Sequence, residues 1–311
     1  MKLLSLCTGY GGLDLAVETF FDCELVACAE IDKYASIAID KHFDVPNLGD
    51  IKTINWSSLG IIDIMTAGYP CQPFSQAGKR KGTNDERHIW PYIKEGISIL
   101  RPRLVILENV RGHLSLGFKE VLQGLTKIGY DATWTTVRAS DVGAPHRRER
   151  VFVFAEPTNT NSERHLLRKL PTDRCEGKPQ CESANGSQTV ANAPSEGFQG
   201  GINEECGLEC CCQISITDTK HVEQQRDGQT PQLGRRFNTR DQMRLQRAPN
   251  PLDLDNKLNP KFVEYMMGLP EGWVTDLPIS RSQQFKMLGN GVVPQQALHA
   301  LEILWKMRHA V

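Results

Sequence analysis

Net charge is almost absent from this chain: 36 Lys and Arg are set against 37 Asp and Glu. Global charge therefore neither drives nor forbids contact with a polyanion, and any basic footprint has to be local. No apolar run approaches the roughly 20 residues that span a bilayer. The opening Met-Lys-Leu-Leu-Ser-Leu, followed by glycines, is too short for a secretory signal and reads as a first strand. The expectation is a cytoplasmic protein with no membrane partner. Paired CxxC spacing is also missing. Ten cysteines in a chain of 311 residues are expected to be reduced thiols, because disulfide frameworks belong to small exported domains. The cluster Cys206, Cys210, Cys211 and Cys212 lacks zinc-type pairing, so no metal is assigned to it.

Residues 1 to about 155 alternate short apolar runs with helical stretches, the order of a doubly wound, mostly parallel α/β sheet. Strands are expected at 2–7, 24–29, 63–66, 104–108, 133–138 and 151–155, with helices at 34–41, 93–100 and 118–128. After Ala155 apolar periodicity gives way to Asn, Thr, Ser, Gln, Gly and Pro, the composition of a smaller, loop-rich module reaching to about residue 257. That module is neutral as a whole, but Arg226, Arg235, Arg236, Arg240, Arg244 and Arg247 face only Asp227 and Asp241 near its end. Such a stripe can track a phosphate backbone or reach guanine edges; a solvated charged loop has the same composition. Order returns from residue 258. Phe262, Val263, Met266 and Met267 make one helical face, and Leu298, Leu301, Leu304 and Trp305 make another on a last helix at 295–308, expected to pack back on the first domain.

Chemistry concentrates at Gly68-Tyr69-Pro70-Cys71-Gln72, followed by Phe74 and Ser75. The apolar run IIDIMTAGYP ends here, so Cys71 is expected just past the carboxyl edge of a strand, where open α/β sheets bind ligands. Pro70 stiffens the turn and holds a nucleophile in one geometry. A lone cysteine is more often an inert buried hydrophobe. Here the following residues Gln72, Ser75, Gln76, Gly78, Lys79, Arg80, Lys81 and Gly82 compose a polar, basic, mobile loop suited to phosphates, not a core segment.

Four further constellations stand beside it. Cys7-Thr8-Gly9-Tyr10-Gly11-Gly12 is a glycine turn opening a helix, though it lacks the GxGxxG spacing of dinucleotide sites. Glu30, about 20 residues on, can accept both hydroxyls of a ribose, Ile31 offers an apolar face to a purine, and Asp50-Ile51 can close an adenine pocket. The strand LVILEN brings Glu108 to the same sheet edge as Cys71, where a carboxyl can act as general acid. In His146-Arg147-Arg148-Glu149-Arg150, residues two apart on an extended segment would put Arg148 and Arg150 on one face. Gly289-Asn290-Gly291-Val292 is a tight turn with no role evident from local chemistry.

In this order the glycine turn, Glu30, Asp50-Ile51, Gly-Tyr-Pro-Cys-Gln-Pro-Phe-Ser, Glu108-Asn109-Val110, the arginine segment and Gly-Asn-Gly-Val resemble the successive motifs of the DNA (cytosine-5) methyltransferase family. The resemblance covers residues 1 to about 155 and about 259 to 311. It implies a doubly wound, Rossmann-like sheet with a smaller loop-rich target recognition domain: a catalytic and S-adenosylmethionine-binding domain at 1–155, target recognition at 156–257, and a returning C-terminal segment at 258–311. It implies methyl transfer from S-adenosylmethionine, leaving S-adenosylhomocysteine, to C5 of a cytosine flipped from duplex DNA, with Cys71 adding to C6. Glu108 would protonate N3, and Arg148 and Arg150 would orient the base. The cofactor would fall to Cys7, Gly9, Gly11, Gly12, Glu30, Ile31, Asp50, Ile51, Pro70, Asn290 and Val292. Gln72, Ser75, Lys79, Arg80, Arg235, Arg236 and Arg240 would meet DNA. The resemblance further implies a monomer acting in a bacterial or phage-infected cell, paired in function with a cognate restriction endonuclease. Cys7 stands where many members have phenylalanine, and His146 replaces a common glutamine. Two rival readings keep the fold: methylation of tRNA, and a DNA-binding regulator without turnover.

Overall fold

Leu3 to Leu6, Ile64 to Ala67 and Leu104 to Leu107 are buried residue after residue, the mark of strands covered by helices on both faces. They belong to β1 (Lys2–Leu6), β3 (Ile64–Gly68) and β4 (Leu104–Val110), which with β2 (Glu24–Ala29), β5 (Tyr130–Val137) and β6 (Arg150–Pro157) form one sheet in the order β2-β1-β3-β4-β6-β5. The β2, β1, β3 and β4 pairings are parallel, and β6 runs antiparallel to both its neighbours. The computed structural model describes residues 1–70, 89–158 and 248–309. Cys71, Gln72, Ser75, Lys79, Arg80, Arg235, Arg236, Arg240 and the Cys206 to Cys212 cluster lie outside the described residues, as does most of the expected second module. No described helix is long and apolar enough to cross a membrane.

Alternate strand residues feed two cores, as the two-residue repeat requires. Leu4, Leu6, Met65, Ala67, Val105 and Leu107 pack with Trp90, Ile93 and Ile97 of α3 (Trp90–Leu100) and with Phe118 and Leu125 of α4 (Phe118–Lys127). On the opposite face Leu3, Ile64, Leu104, Ile106, Phe152 and Phe154 meet Leu13, Val17 and Phe21 of α1 (Gly12–Phe21). That second core is completed by Ala297, Ala300, Leu301 and Leu304 of the last helix, Pro294–His309. Leu298 and Trp305 lie at its margin, so the buried face is centred one residue away from the expected leucine row.

Local signals explain the remaining helices. The Asp32 side chain caps α2 (Lys33–His42) by accepting from Tyr34 N and Ala35 N, as short acidic side chains do at helix starts. Asn259 caps α5 (Pro260–Met266) and Ser280 caps α6 (Arg281–Asn290), after which comes α7, the Pro294–His309 helix. The expected apolar face of α5 is only half buried; its most buried residue is Glu264. That carboxylate accepts from Gly272 N at 2.8 Å, Val274 N at 2.5 Å, Thr275 N at 2.9 Å and Thr275 Oγ1 at 2.9 Å. Four donors offset its desolvation, and a periodicity count based on apolar residues misses such a group.

Candidate active site at the carboxyl edge of the sheet

Strand order reverses between β1 and β3, and the loops beyond the carboxyl ends of β1 and β2 hold the first half of the site. The turn after β1 takes left-handed φ at Cys7 (55°), Gly9 (59°) and Gly11 (83°). It is drawn against β2 by Glu30, whose Oε2 accepts from Gly9 N at 2.9 Å and whose Oε1 accepts from Asp32 N at 2.8 Å. A carboxylate has about four lone-pair positions, so each oxygen keeps one free for a further donor. Ile31, next in sequence, is 73% exposed, an apolar side chain offered to solvent beside a polar anchor. Asp50 caps the short turn Ile51–Thr53 by accepting from Lys52 N, and Ile51 is buried beneath it. Burial, then the negative charges of Glu30 and Asp50, push the Cys7 thiol far above its usual range. Cys7 is therefore a neutral packing group in the same pocket as both carboxylates, not a competing nucleophile.

The second half of the site lies across β3, β4 and β6. Gly68 is level with Glu108, Glu108 with Phe152, and Val110 with Arg150. Glu108 is 7% exposed, and its Oε1 lies 3.0 Å from Arg150 Nε. Burial raises the Glu108 carboxyl to about 7 from an ordinary 4.5, against the opposing pull of Arg150 and Arg148. Ion pairing alone would depress it, so desolvation is the larger effect here. A Cβ on Gly68 would sit 3.6 Å from Glu108 Oε2, which leaves the carboxyl with only a slender backbone as neighbour three residues before Cys71. Pro70, the last described residue before Cys71, is exposed.

Arg148 and Arg150 both lie near Glu108, but strand alternation is not what brings Arg148 there. Its φ is 33° and β6 begins only at Arg150, so the two-residue alternation expected of an extended segment does not apply. Arg148 instead donates from Nη2 to the carbonyls of Gly289 at 2.8 Å and Gly291 at 2.5 Å. His146 has no hydrogen-bond partner for either buried ring nitrogen among the described residues, and burial, then Arg148 and Arg150, lower its pKa.

The Gly289 to Val292 segment thereby gains a role that local chemistry did not reveal. It ends α6 and closes on the glycine turn: Tyr10 donates its hydroxyl to Val292 O at 2.7 Å, and Trp273 Nε1 donates to Tyr10 O at 3.0 Å. Gln296, fully buried, donates to both Val137 O and Arg148 O at 2.7 Å. A Cβ on Gly12 would lie 2.1 Å from Val292 O, and one on Gly291 would lie 1.9 Å from the buried Tyr10 ring. Gly291→Ala is accordingly expected to destabilise the protein by about 1–3 kcal/mol through overpacking. This lowers its melting temperature by roughly 5 °C for a chain of this size. Gly289→Ala, with nothing within 4 Å of its Cβ, is the control expected to leave calorimetry unchanged. Val292 is thus buried packing under the turn, while Asn290 is exposed at the end of α6.

The structure therefore gathers Cys7, Gly9, Gly11, Gly12, Glu30, Ile31, Asp50 and Ile51 in one loop cluster. Glu108, Arg150 and the approach to Cys71 lie beyond the neighbouring strands. Sequence reasoning missed Tyr10 and His113. Tyr10 sits inside a turn read for its glycines, and His113 follows Glu108-Asn109-Val110 by three residues with no motif of its own.

Comparison with known proteins supplies an independent finding. The family model described as C-5 cytosine-specific DNA methylase matches residues 1–304. The chain is 32% identical over 168 residues to the Type II methyltransferase M.DsaV of Dactylococcopsis salina, an alignment covering 52% of this chain and 48% of that protein. It is 27% identical over 311 residues to the Type II methyltransferase M.NlaX of Neisseria lactamica, covering 94% of this chain and 92% of that one. The chain thus spans about half the length of some curated relatives it matches and nearly the whole of others. In fold it is similar to a putative DNA modification methyltransferase encoded within an Escherichia coli prophage, with a TM-score of 0.59, 17% identity and 99% of both chains covered.

Proposed function

The chain belongs to the C-5 cytosine-specific DNA methylase family, and from that premise we propose that it transfers a methyl group from S-adenosylmethionine to C5 of a cytosine in duplex DNA. The observation that carries this reading is the buried carboxyl of Glu108, raised to about 7 and ion-paired with Arg150, at the strand edge to which Gly68-Tyr69-Pro70 delivers Cys71. In chemical terms the Cys71 thiolate adds to C6 of the flipped base while Glu108 gives its proton to N3, which leaves C5 electron-rich. Arg150 fixes Glu108 and faces the base carbonyl. After methylation the C5 proton departs to a base and the thiolate is released.

The residues present fit S-adenosylmethionine. Both Glu30 oxygens retain acceptor capacity for ribose hydroxyls, exposed Ile31 can lie against adenine, and Asp50 with Ile51 closes that pocket. When bound, the cofactor supplies an electrophilic methyl group on a sulfonium. Residues 156–257 are assigned target recognition, with Arg235, Arg236 and Arg240 on phosphates or base edges and Gln72, Ser75, Lys79 and Arg80 on the flipped site. In this reading the protein acts as a monomer in the cytoplasm of a bacterial or phage-infected cell, and a cognate restriction endonuclease is its functional counterpart.

The test is transfer of labelled methyl groups from S-adenosylmethionine to duplex DNA and to tRNA in parallel, followed by bisulfite sequencing of DNA from cells expressing the chain. Label in duplex DNA at one repeated sequence is expected. Label in tRNA alone would move the substrate, and label in neither would favour a DNA-binding regulator.

A further inference from the structure

Tyr69 is separated from Cys71 only by Pro70, and two of its polar groups are tied down. Its carbonyl accepts from Asn109 Nδ2 at 3.0 Å, and its hydroxyl is hydrogen-bonded to His113 Nε2 at 3.0 Å. His113 stands on the short turn Arg111–Ser115 that follows β4 and is 2% exposed. Its ring meets Tyr69 edge-on at 5.6 Å and Phe118 edge-on at 5.8 Å, while Tyr69 leans on Trp90 at 6.2 Å. The pocket around these rings is apolar.

An imidazole is a costly choice for such a place. Its Nδ1 makes no hydrogen bond of good geometry and is served only by the Leu116 backbone, and an apolar side chain of similar size would avoid burying it. What the imidazole adds is one directed bond to the Tyr69 hydroxyl. A polar pair enclosed by hydrocarbon selects a single arrangement more strictly than packing alone. Two residues of chain reach about 7 Å at most, and proline removes one of the torsions between them. A tilt of Tyr69 therefore tilts the chain at Pro70, the last described residue before Cys71.

We infer that His113 is a positioning residue for Cys71, acting through the Tyr69 hydroxyl, with Asn109 securing the backbone at the same point. The inference rests on the reading of Cys71 as nucleophile. It goes beyond that reading by assigning the aim of the nucleophile to a side chain on the neighbouring strand's exit loop. Burial also lowers the His113 pKa to about 4, so the ring is neutral, with one donor and one acceptor nitrogen, throughout the working range.

His113→Leu and Tyr69→Phe each break the bond, and His113→Gln offers a replacement at the Nε2 position. In the full chain, single-turnover methylation and trapping on 5-fluorocytosine DNA are expected to slow by roughly tenfold to a hundredfold in the first two variants, the scale at which small misplacements act. Dissociation constants for S-adenosylmethionine and DNA should stay within about twofold, a difference too small to reflect lost transition-state geometry. His113→Gln should recover most of the rate, and the Tyr69→Phe, His113→Leu double variant should lose less than the product of the two singles. Hydrogen exchange at the Gly68 and Tyr69 amides should quicken in His113→Leu and not in His113→Gln. Unchanged rate and unchanged exchange in His113→Leu would overturn the inference. So would a rate loss matched by equal loss of cofactor affinity, which marks general unfolding. If the wild-type chain itself fails to trap on 5-fluorocytosine DNA, the nucleophile reading falls, while the exchange arm still decides whether His113 holds Tyr69.

Discussion

Cys71→Ser is expected to abolish methyl transfer, with a loss of at least about a thousandfold, because a serine hydroxyl is a weak nucleophile at its free pKa. Cofactor affinity should survive nearly intact. The groups proposed to hold S-adenosylmethionine stand chiefly on the loops after β1 and β2, pinned to one another by Glu30. Radiolabel transfer and equilibrium titration with S-adenosylmethionine, run on the same preparation, separate the two properties. Retention of more than a tenth of the activity would end the covalent route. Cys7 cannot substitute, since its thiol is held neutral by burial and by two adjacent carboxylates.

Glu108→Gln should reduce the rate by about 10²–10⁴-fold, the range for a lost general acid. The amide keeps the size of the side chain and can still accept from Arg150, so the fold and cofactor binding should persist. The pH dependence follows from the same burial. With the carboxyl at about 7, the acid form needed for N3 protonation is depleted as pH rises through neutrality. The wild-type kcat should therefore decline above about pH 7, and the Gln variant should lack that limb. Stability carries the matching sign. A carboxyl raised in the folded state above its ordinary 4.5 stabilises fully below that value and loses the contribution as pH rises through about 7. Asp14, also raised to about 7 by burial although Ser5 and Thr66 donate to it, acts in the same direction. Urea midpoints at pH 5 and pH 8 should differ less in Glu108→Gln than in the wild type; an undiminished difference would locate the titrating group elsewhere.

All six strands were legible because five of them are short and mostly apolar, with polar residues few or near their ends. Leu104 to Leu107 is the plainest case, buried on both faces. β5 was read from Thr133 and in fact starts at Tyr130, whose buried hydroxyl donates to Pro102 O. Its middle is an exposed edge with Trp134 at the surface, so apolar content there understates the strand. The site was legible where its chemistry is local. Glu30 follows β2 directly and Glu108 lies near the carboxyl end of β4, so the fold fixes where each carboxylate stands on the sheet edge.

What escaped the sequence is contact across long separations. Arg148 reaches Gly289 and Gly291 from more than 140 residues away, and Tyr10 reaches Val292 from 282 away. No periodicity encodes such pairs. The glycines at 289 and 291 advertise a turn, but only the buried Tyr10 ring explains why position 291 has no room for a methyl group. Likewise Glu264 looks like a solvent-facing residue until the four donors of the 272–275 turn are in place.

The bond from Tyr10 to Val292 has a meaning for how the molecule is made. Tyr10 is synthesised 282 residues before Val292, so the glycine turn can meet this packing partner only after the whole intervening stretch has been made. Lengthening the intervening stretch adds little to the entropy of that closure, about 0.6 kcal/mol for each doubling. The stretch between β6 and α5 can thus be exchanged or enlarged while the two ends still meet at the same tyrosine, and under the proposed assignment of residues 156–257 to target recognition the preferred sequence can diverge without disturbing the chemistry.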